Sequence, residues 1–271
     1  MPELPEVETV KRGLEPVLTG STFKAIELYR NNLRTPFPKN MVERLVGKTC
    51  TGLRRRGKYI WVDLDSCETL VVHLGMSGSF AINPNAPRKH AHVIFETNRG
   101  DRIVYHDPRR FGMMFFVLTG HEADHAAFAK MGPEPLGNHF HVDALMARIK
   151  HKKSSIKSAL LDQTVVAGVG NIYACEALYD AGISPLRKCH RITKTQADHL
   201  VCCIRNVLNA AIQSGGSSLR DHRQTDGTMG YFQHGFKVYN RAGQLCVETG
   251  GVIKRVVQSG RSTFYCPAKQ K

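Results

Sequence analysis

No stretch of the chain approaches the roughly 20 consecutive apolar residues needed to cross a bilayer. Its first residues also lack the basic segment and apolar run of a secretory leader. Both absences favour a soluble intracellular protein, expected in the cytoplasm and with no membrane partner. Cysteine is present but unpatterned: positions 50, 67, 175, 189, 202, 203, 246 and 266 do not space like a secreted disulfide framework, so reduced thiols are expected. There is no internal repeat, low-complexity tract or Gly/Ser linker. Acidic side chains are in short supply, with 23 Asp plus Glu against 38 Lys plus Arg and a net charge of +15. A cationic surplus of that size favours a polyanionic partner, with nucleic acid ahead of an acidic membrane surface. A length of 271 residues allows more than one core and suggests two domains.

The chain is organised around its start, MPELPEVETV. Initiator methionine is expected to be clipped before the small Pro2, exposing a secondary amine. An α-amino group with a pKa of about 8 is roughly a quarter unprotonated near pH 7.5, whereas a free lysine is almost wholly charged. Such an amine can act as a nucleophile without deep burial. Glu3 sets a carboxyl beside it, and Pro5 suits the first turn of a helix. Glu6 and Glu8 fall near the positive helix end. Val7, Val10, Leu14 and Val17 trace one apolar stripe that would anchor the terminus. An ordinary helix start with Pro and Glu at preferred places explains the spacing equally well.

From Thr22 to Leu118 short apolar runs alternate with turn residues: Phe23–Leu28, Tyr59–Leu64, Leu70–His73, Val93–Phe95, Ile103–Tyr105 and Met113–Leu118. Runs of this length and spacing predict a β-sandwich. His121–Lys130 reads as a short helix and Met131–Gly137 as a linker. Helical periodicity follows at Val142–Lys150, Ser155–Leu161, Gly170–Ala181 and Gln196–Gln213, the last with Thr195 and Asp198 approximating a capping box. Arg220–Gly230 is polar and reads as a mobile loop. Val252–Val257 and Ser262–Cys266 read as a hairpin. The fold expected is α+β in two domains: a β-sandwich flanked by helices (1–130), a linker (131–137), a helical domain (138–232) and a β-hairpin finger (233–271).

Several clusters carry possible chemistry. Arg54, Arg55, Arg56 and Lys58 form a cationic run that by itself is most simply a solvated face. His73–Gly78 and Asp107–Gly112 are turn-like and present Met76, Arg109 and Phe111, bulky side chains that on such turns are more often core than wedge. Val165–Asn171 is a glycine turn feeding a helix N-terminus, a seat for phosphate, and it follows the basic segment His151–Lys157.

Seven blocks in one order, PELPEVET at Pro2–Thr9, RRGKY at Arg55–Tyr59, HLGMSG at His73–Gly78, DPRRFG at Asp107–Gly112, GPEPL at Gly132–Leu136, VAGVGNIYA at Val166–Ala174 and TFYC at Thr263–Cys266, resemble the formamidopyrimidine-DNA glycosylases. The resemblance spans nearly the whole chain. It implies a helix-two-turn-helix element in the second domain and a bifunctional DNA glycosylase and AP lyase of base-excision repair, a monomer acting on damaged double-stranded DNA. The implied roles are Pro2 as Schiff-base nucleophile, Glu3 as the acid that opens the sugar, Glu6 as a further active-site carboxylate, and Lys58 and Arg261 as aids to elimination. Met76, Arg109 and Phe111 would fill the gap left by an extruded base. His90, Arg109, Arg110, Lys152, Lys157 and Asn171 would contact the DNA, mostly its phosphates, which position the enzyme without reading sequence.

The resemblance breaks at the finger. Most relatives carry two C-x2-C pairs around zinc. Here Cys246 and Cys266 remain, with Thr249 and Lys269 in the other two positions and no histidine between Cys246 and Lys271. Two thiolates do not complete the tetrahedral shell of structural zinc. No zinc and no other cofactor is expected, and apolar packing through Val252, Val256 and Phe264 is expected to hold the hairpin. Excision of oxidised purines is the favoured reading. An endonuclease VIII-like enzyme for oxidised pyrimidines and a non-catalytic DNA-damage binder are the alternatives.

Overall fold

The computed structural model describes residues 1–85, 89–217 and 225–271. The chain divides into two compact units, Met1–Ala129 with Ser214–Tyr231, and Lys130–Gln213 with Phe232–Lys271. The stretch 214–231 therefore joins the N-terminal unit, although the sequence pattern assigns it to the helical domain. The reason is visible in its bonds: Ser217 N–H donates to Glu6 at 2.8 Å, and Ile82 N–H donates to the Thr225 carbonyl at 3.2 Å. Of the expected mobile loop, residues 220–224 lie outside the described residues. Thr225 is buried against Gly13, where an added Cβ would stand 2.1 Å from the threonine hydroxyl.

In the first unit, α1 (Leu4–Leu18) is followed by β1 (Phe23–Leu28), α2 (Met41–Leu45), β2 (Cys50–Arg56), β3 (Tyr59–Leu64), β4 (Glu68–His73), β5 (Ser79–Ile82), β6 (Ala91–Thr97), β7 (Arg102–His106) and β8 (Met113–Leu118). Among the described residues the strands form two antiparallel four-stranded sheets, ordered β1-β6-β7-β5 and β2-β3-β4-β8. Phe23, Phe80, Phe95 and Tyr105 from one sheet and Ile60, Val62, Leu70 and Val72 from the other share a core, which makes the pair a sandwich. Val7, Val10, Leu14 and Leu18 of α1 enter the same core. The helix is thereby held along its length by burial rather than by propensity.

The helix expected at His121–Lys130 does not form; only Glu122–Asp124 makes a 3₁₀ turn. Aromatic packing dominates there instead. Phe128 sits edge-on to Tyr59 and Trp61, with ring centroids 5.1 and 4.9 Å away, a better use of its surface than a short exposed helix.

The second unit contains α3 (Val142–Ile149), α4 (Ile156–Leu161), α5 (Asn171–Asp180), α6 (Lys194–Gln213) and the hairpin β9 (Lys254–Gln258) and β10 (Arg261–Tyr265). α6 begins two residues before the expected start. Its reciprocal cap is made by Thr193 and Gln196, each backbone N–H donating to the other's side-chain oxygen at 3.2 Å. Buried Glu176 on α5 accepts the N–H groups of Lys237, Val238 and Tyr239 at 2.8, 3.0 and 2.8 Å and so seats the chain leading to the hairpin. Among the described residues no helix is long and apolar enough to cross a membrane.

Candidate active site and nucleic-acid interface

The chain start is not frayed. Pro2 is buried, as are Glu3 and Glu6. Glu3 N–H donates to Glu6 Oε2 at 2.8 Å, while Glu6 Oε1 accepts both the N–H of Ser217 at 2.8 Å and its hydroxyl at 3.0 Å. One carboxylate thus fixes the first turn of α1 and the start of the segment after α6. Ser217 carries no signal in the sequence, being 211 positions from its partner.

The cationic run of β2 is largely spent on carboxylates. Arg54 forks onto Asp63 at 2.6 and 2.7 Å and reaches Glu122 at 2.6 Å; Arg55 donates to Glu8 of α1 at 2.9 Å. Lys58, in the β2–β3 turn, is only 8 % exposed. Burial, followed by the charges of Lys58 and Arg34, pushes the pKa of His73 down to about 4. The neutral ring accepts the N–H of Gly75 through Nδ1 at 3.1 Å. His73 thereby shapes the turn that leads to Met76, a role that no pattern in the sequence announces.

Met76, Arg109, Arg110 and Phe111 are exposed, with Met76 and Phe111 at 39 % and 40 %. The bulky side chains of these two turns therefore lie outside the core. The Arg109 guanidinium lies 5.0 Å from the Phe111 ring centroid, a favourable cation–π distance. Gly75 has φ +62°, and a Cβ there would come within 2.3 Å of the Phe111 carbonyl carbon, so only glycine allows the two turns to meet. His90 is exposed, has φ +70°, and accepts the N–H of Asp107 at its carbonyl at 3.1 Å.

In the second unit the hairpin is pinned from two helices. Ser155 caps α4 and accepts from Gln258 at 2.9 Å; Asn171 Nδ2 donates to the Ser262 carbonyl at 2.9 Å. Ser259 and Gly260, both at positive φ, make the tight turn, and Arg261 follows it exposed. Lys157 is 0 % exposed and donates to Thr263 Oγ1 at 2.8 Å. There the ammonium braces α4 to β10 away from solvent, a place the sequence pattern does not reveal. Lys152 is ion-paired with Asp162 at 2.9 Å. The glycine turn is also more occupied than the sequence suggests, because the N–H groups of Val165, Val166, Ala167 and Gly168 bond to Asp162, Pro133 and Gln163. Any anion seat is thereby confined to the start of α5.

Residues 1–114 match the formamidopyrimidine-DNA glycosylase N-terminal domain and residues 131–223 the H2TH domain of the same enzymes. The chain belongs to the formamidopyrimidine-DNA glycosylase family. It is 54 % identical to the formamidopyrimidine-DNA glycosylase of Dinoroseobacter shibae and 53 % identical to that of a Jannaschia species, with 100 % of both chains covered in each case. Among solved structures it resembles a mutant Lactococcus lactis Fpg in complex with Fapy-dG-containing DNA, with TM-score 0.92, 34 % identity and full coverage of both chains. The MutM (Fpg) protein of Thermus thermophilus matches with TM-score 0.89 and 37 % identity over 99 % of this chain and 98 % of that one. The family comprises base-excision DNA repair glycosylases with AP lyase activity, and the two-domain α+β fold above is theirs.

The finger has an apolar core of its own. Cys246, Cys266, Tyr179, Val238, Ile253 and Phe264 form one buried apolar cluster. Ile253 rather than Val252 supplies the inward side chain, since Val252 is half exposed, and Val256 is only partly buried. The Tyr179 hydroxyl lies 3.0 Å from Cys246 Sγ, and Thr249 Oγ1 lies 3.4 Å from Cys266 Sγ. Lys269 pairs with Glu248 and places its ammonium 4.2 Å from the Tyr179 ring centroid. Two thiols, a hydroxyl and a fixed cation are a poor donor set for a zinc dication.

Proposed function

We propose that this glycosylase and AP lyase excises oxidised purines, 8-oxoguanine and formamidopyrimidines, from double-stranded DNA with the amine of Pro2 as nucleophile. The amine attacks the deoxyribose C1′ carbon, the damaged base leaves with the glycosidic electron pair, and Glu3 protonates the ring oxygen as the sugar opens to an iminium. The iminium acidifies the adjacent C2′–H, so loss of that proton expels the 3′ phosphate, and a second elimination expels the 5′ phosphate. Lys58 and Arg261 assist the two eliminations. A positioned acid is worth about 10²–10⁴-fold, and the covalent intermediate divides one difficult displacement into easier steps.

The observation that carries this reading is the burial of Pro2 and Glu3 at a hydrogen-bonded helix start, where a chain terminus is ordinarily mobile. Met76, Arg109 and Phe111 fill the space of the flipped nucleotide, and Arg109 faces the orphaned base. His90, Arg110, Lys152, Asn171 and Arg261 engage phosphate, and the Lactococcus lactis relative is itself seen in complex with DNA. Lys152 exchanges Asp162 for phosphate when DNA binds. The enzyme acts as a monomer at the nucleoid in the cytoplasm, and its finger holds without metal.

Borohydride trapping on an 8-oxoguanine duplex, followed by peptide mapping, tests the nucleophile. The adduct is expected on Pro2 of a chain that has lost Met1; an adduct on Lys58, or an intact mass retaining Met1, would overturn the mechanism. Faster release of thymine glycol than of 8-oxoguanine from matched duplexes would overturn the substrate assignment.

A further inference from the structure

Two separate turns carry the three side chains assigned to the vacated base position, and they are joined beneath the surface. Asp107 is 0 % exposed. Its Oδ1 accepts the Ser77 hydroxyl at 2.6 Å, and its Oδ2 accepts the Gly112 N–H at 2.8 Å and the Tyr105 hydroxyl at 3.4 Å. Ser77 Oγ in turn accepts the N–H of Arg109 at 3.1 Å. Ser77 belongs to the Met76 turn and Arg109 to the other, so these bonds cross between the turns. The Asp107 carbonyl also accepts from His92 Nε2 at 2.8 Å, tying the same residue to β6.

Glycines stand where the turns pack against the buried Tyr105. A Cβ on Gly78 would stand 2.5 Å, and one on Gly112 1.9 Å, from the Tyr105 hydroxyl. Such contacts exclude any side chain at these positions. A buried carboxylate with three donors is also an expensive thing to disturb, because every donor it loses stays desolvated.

We infer that Ser77 and Asp107 are positioning residues that weld the Met76 turn to the Arg109–Phe111 turn, so that the three side chains enter the duplex as one rigid body. The inference deepens the base-gap reading and rests on it. Without the weld, each side chain would have to be ordered separately as the base leaves, and ordering two loops on binding costs rate and affinity.

The test compares wild type with Ser77→Ala, Asp107→Asn, Met76→Ala/Phe111→Ala, and Ser77→Ala placed on that last pair. Two single-turnover rates are read: 8-oxoguanine excision from a duplex, and cleavage at an abasic site in single-stranded DNA, where no stack must be refilled. Ser77→Ala and Asp107→Asn are expected to slow duplex excision about tenfold, one charge-assisted hydrogen bond's worth, with the single-strand rate kept within about twofold. Because Ser77 acts through Met76, Phe111 and Arg109, adding Ser77→Ala to the double variant should cost clearly less than it costs the wild type, the remainder being its hold on the Arg109 N–H. Wild-type duplex rates for both single variants, additive losses, or equal losses on the two substrates would each overturn the weld. Wild-type duplex rates for Met76→Ala/Phe111→Ala would instead overturn the base-gap reading beneath it.

Discussion

Glu6 offers the sharpest test of how the terminus is held. In Glu6→Gln the side chain keeps its shape but has one acceptor oxygen where the carboxylate has two. The carboxylate's donors include Glu3 N–H at 2.8 Å, Ser217 N–H at 2.8 Å and the Ser217 hydroxyl at 3.0 Å. The least disruptive amide orientation keeps oxygen toward Ser217 and turns NH₂ against the Glu3 N–H, so one charge-assisted bond is lost and two are weakened. With a bond to a charged group worth about 1.5–3 kcal/mol, the loss should be about 2–3 kcal/mol. At a urea m-value near 2 kcal/mol/M, the midpoint falls by about 1 M. The assay is selective, because the chain has a single tryptophan and Trp61 lies buried in β3 of the same unit. Borohydride trapping should slow in parallel, since the same carboxylate anchors the residue next to Pro2. A midpoint shift below about 0.2 M would refute the anchoring argument, and slow trapping with unchanged stability would show in addition that Glu6 acts chemically.

Other consequences follow from the same geometry. Because His73 is held near pKa 4 when folded and titrates near 6.5 when unfolded, the unfolded chain binds the extra proton between those values. Stability should therefore rise with pH through that window, by about 3 kcal/mol for this group. Replacing His73 by Gln should flatten the Trp61-reported stability between pH 4.5 and 6.5, and an unchanged pH slope would refute the assignment. Arg261→Ala should leave thermal stability within about 2 °C, weaken DNA binding about tenfold and reduce the salt slope by about one. Lys157→Met, by contrast, should loosen the hairpin by about 1.5–3 kcal/mol and leave the salt slope unchanged; a reduced slope would restore Lys157 as a phosphate ligand. Wild-type incision should withstand a zinc chelator, whereas Thr249→Cys/Lys269→Cys should bind about one zinc per chain by metal analysis. Chelator-sensitive wild type would refute the metal-free finger.

Much of the element pattern is legible in the residues themselves. Phe23–Leu28, Tyr59–Leu64 and Met113–Leu118 match their strands at both ends, because apolar periodicity is a local property that survives into the fold. The departures are places where distant partners outweigh local pattern. Cys50–Arg56 shows its charges rather than a strand period, so β2 is not legible there; Arg54 and Arg55 are ion-paired with carboxylates. His121–Lys130 gives up its helix to bring Phe128 onto Tyr59 and Trp61.

From the sequence alone came the expectation of a nucleophilic proline, the cationic excess, most of the element types and the incomplete cysteine set, all of which depend on residue identity and near neighbours. Only the tertiary structure decided that Lys157 is a buried brace, that Ser217 answers Glu6 across 211 positions, and that Asp107 joins two turns. The physical reason is one of range. A side chain's chemistry is set by its own atoms, but whether it meets solvent, a carboxylate or a backbone N–H is set by chain segments that folding alone brings beside it.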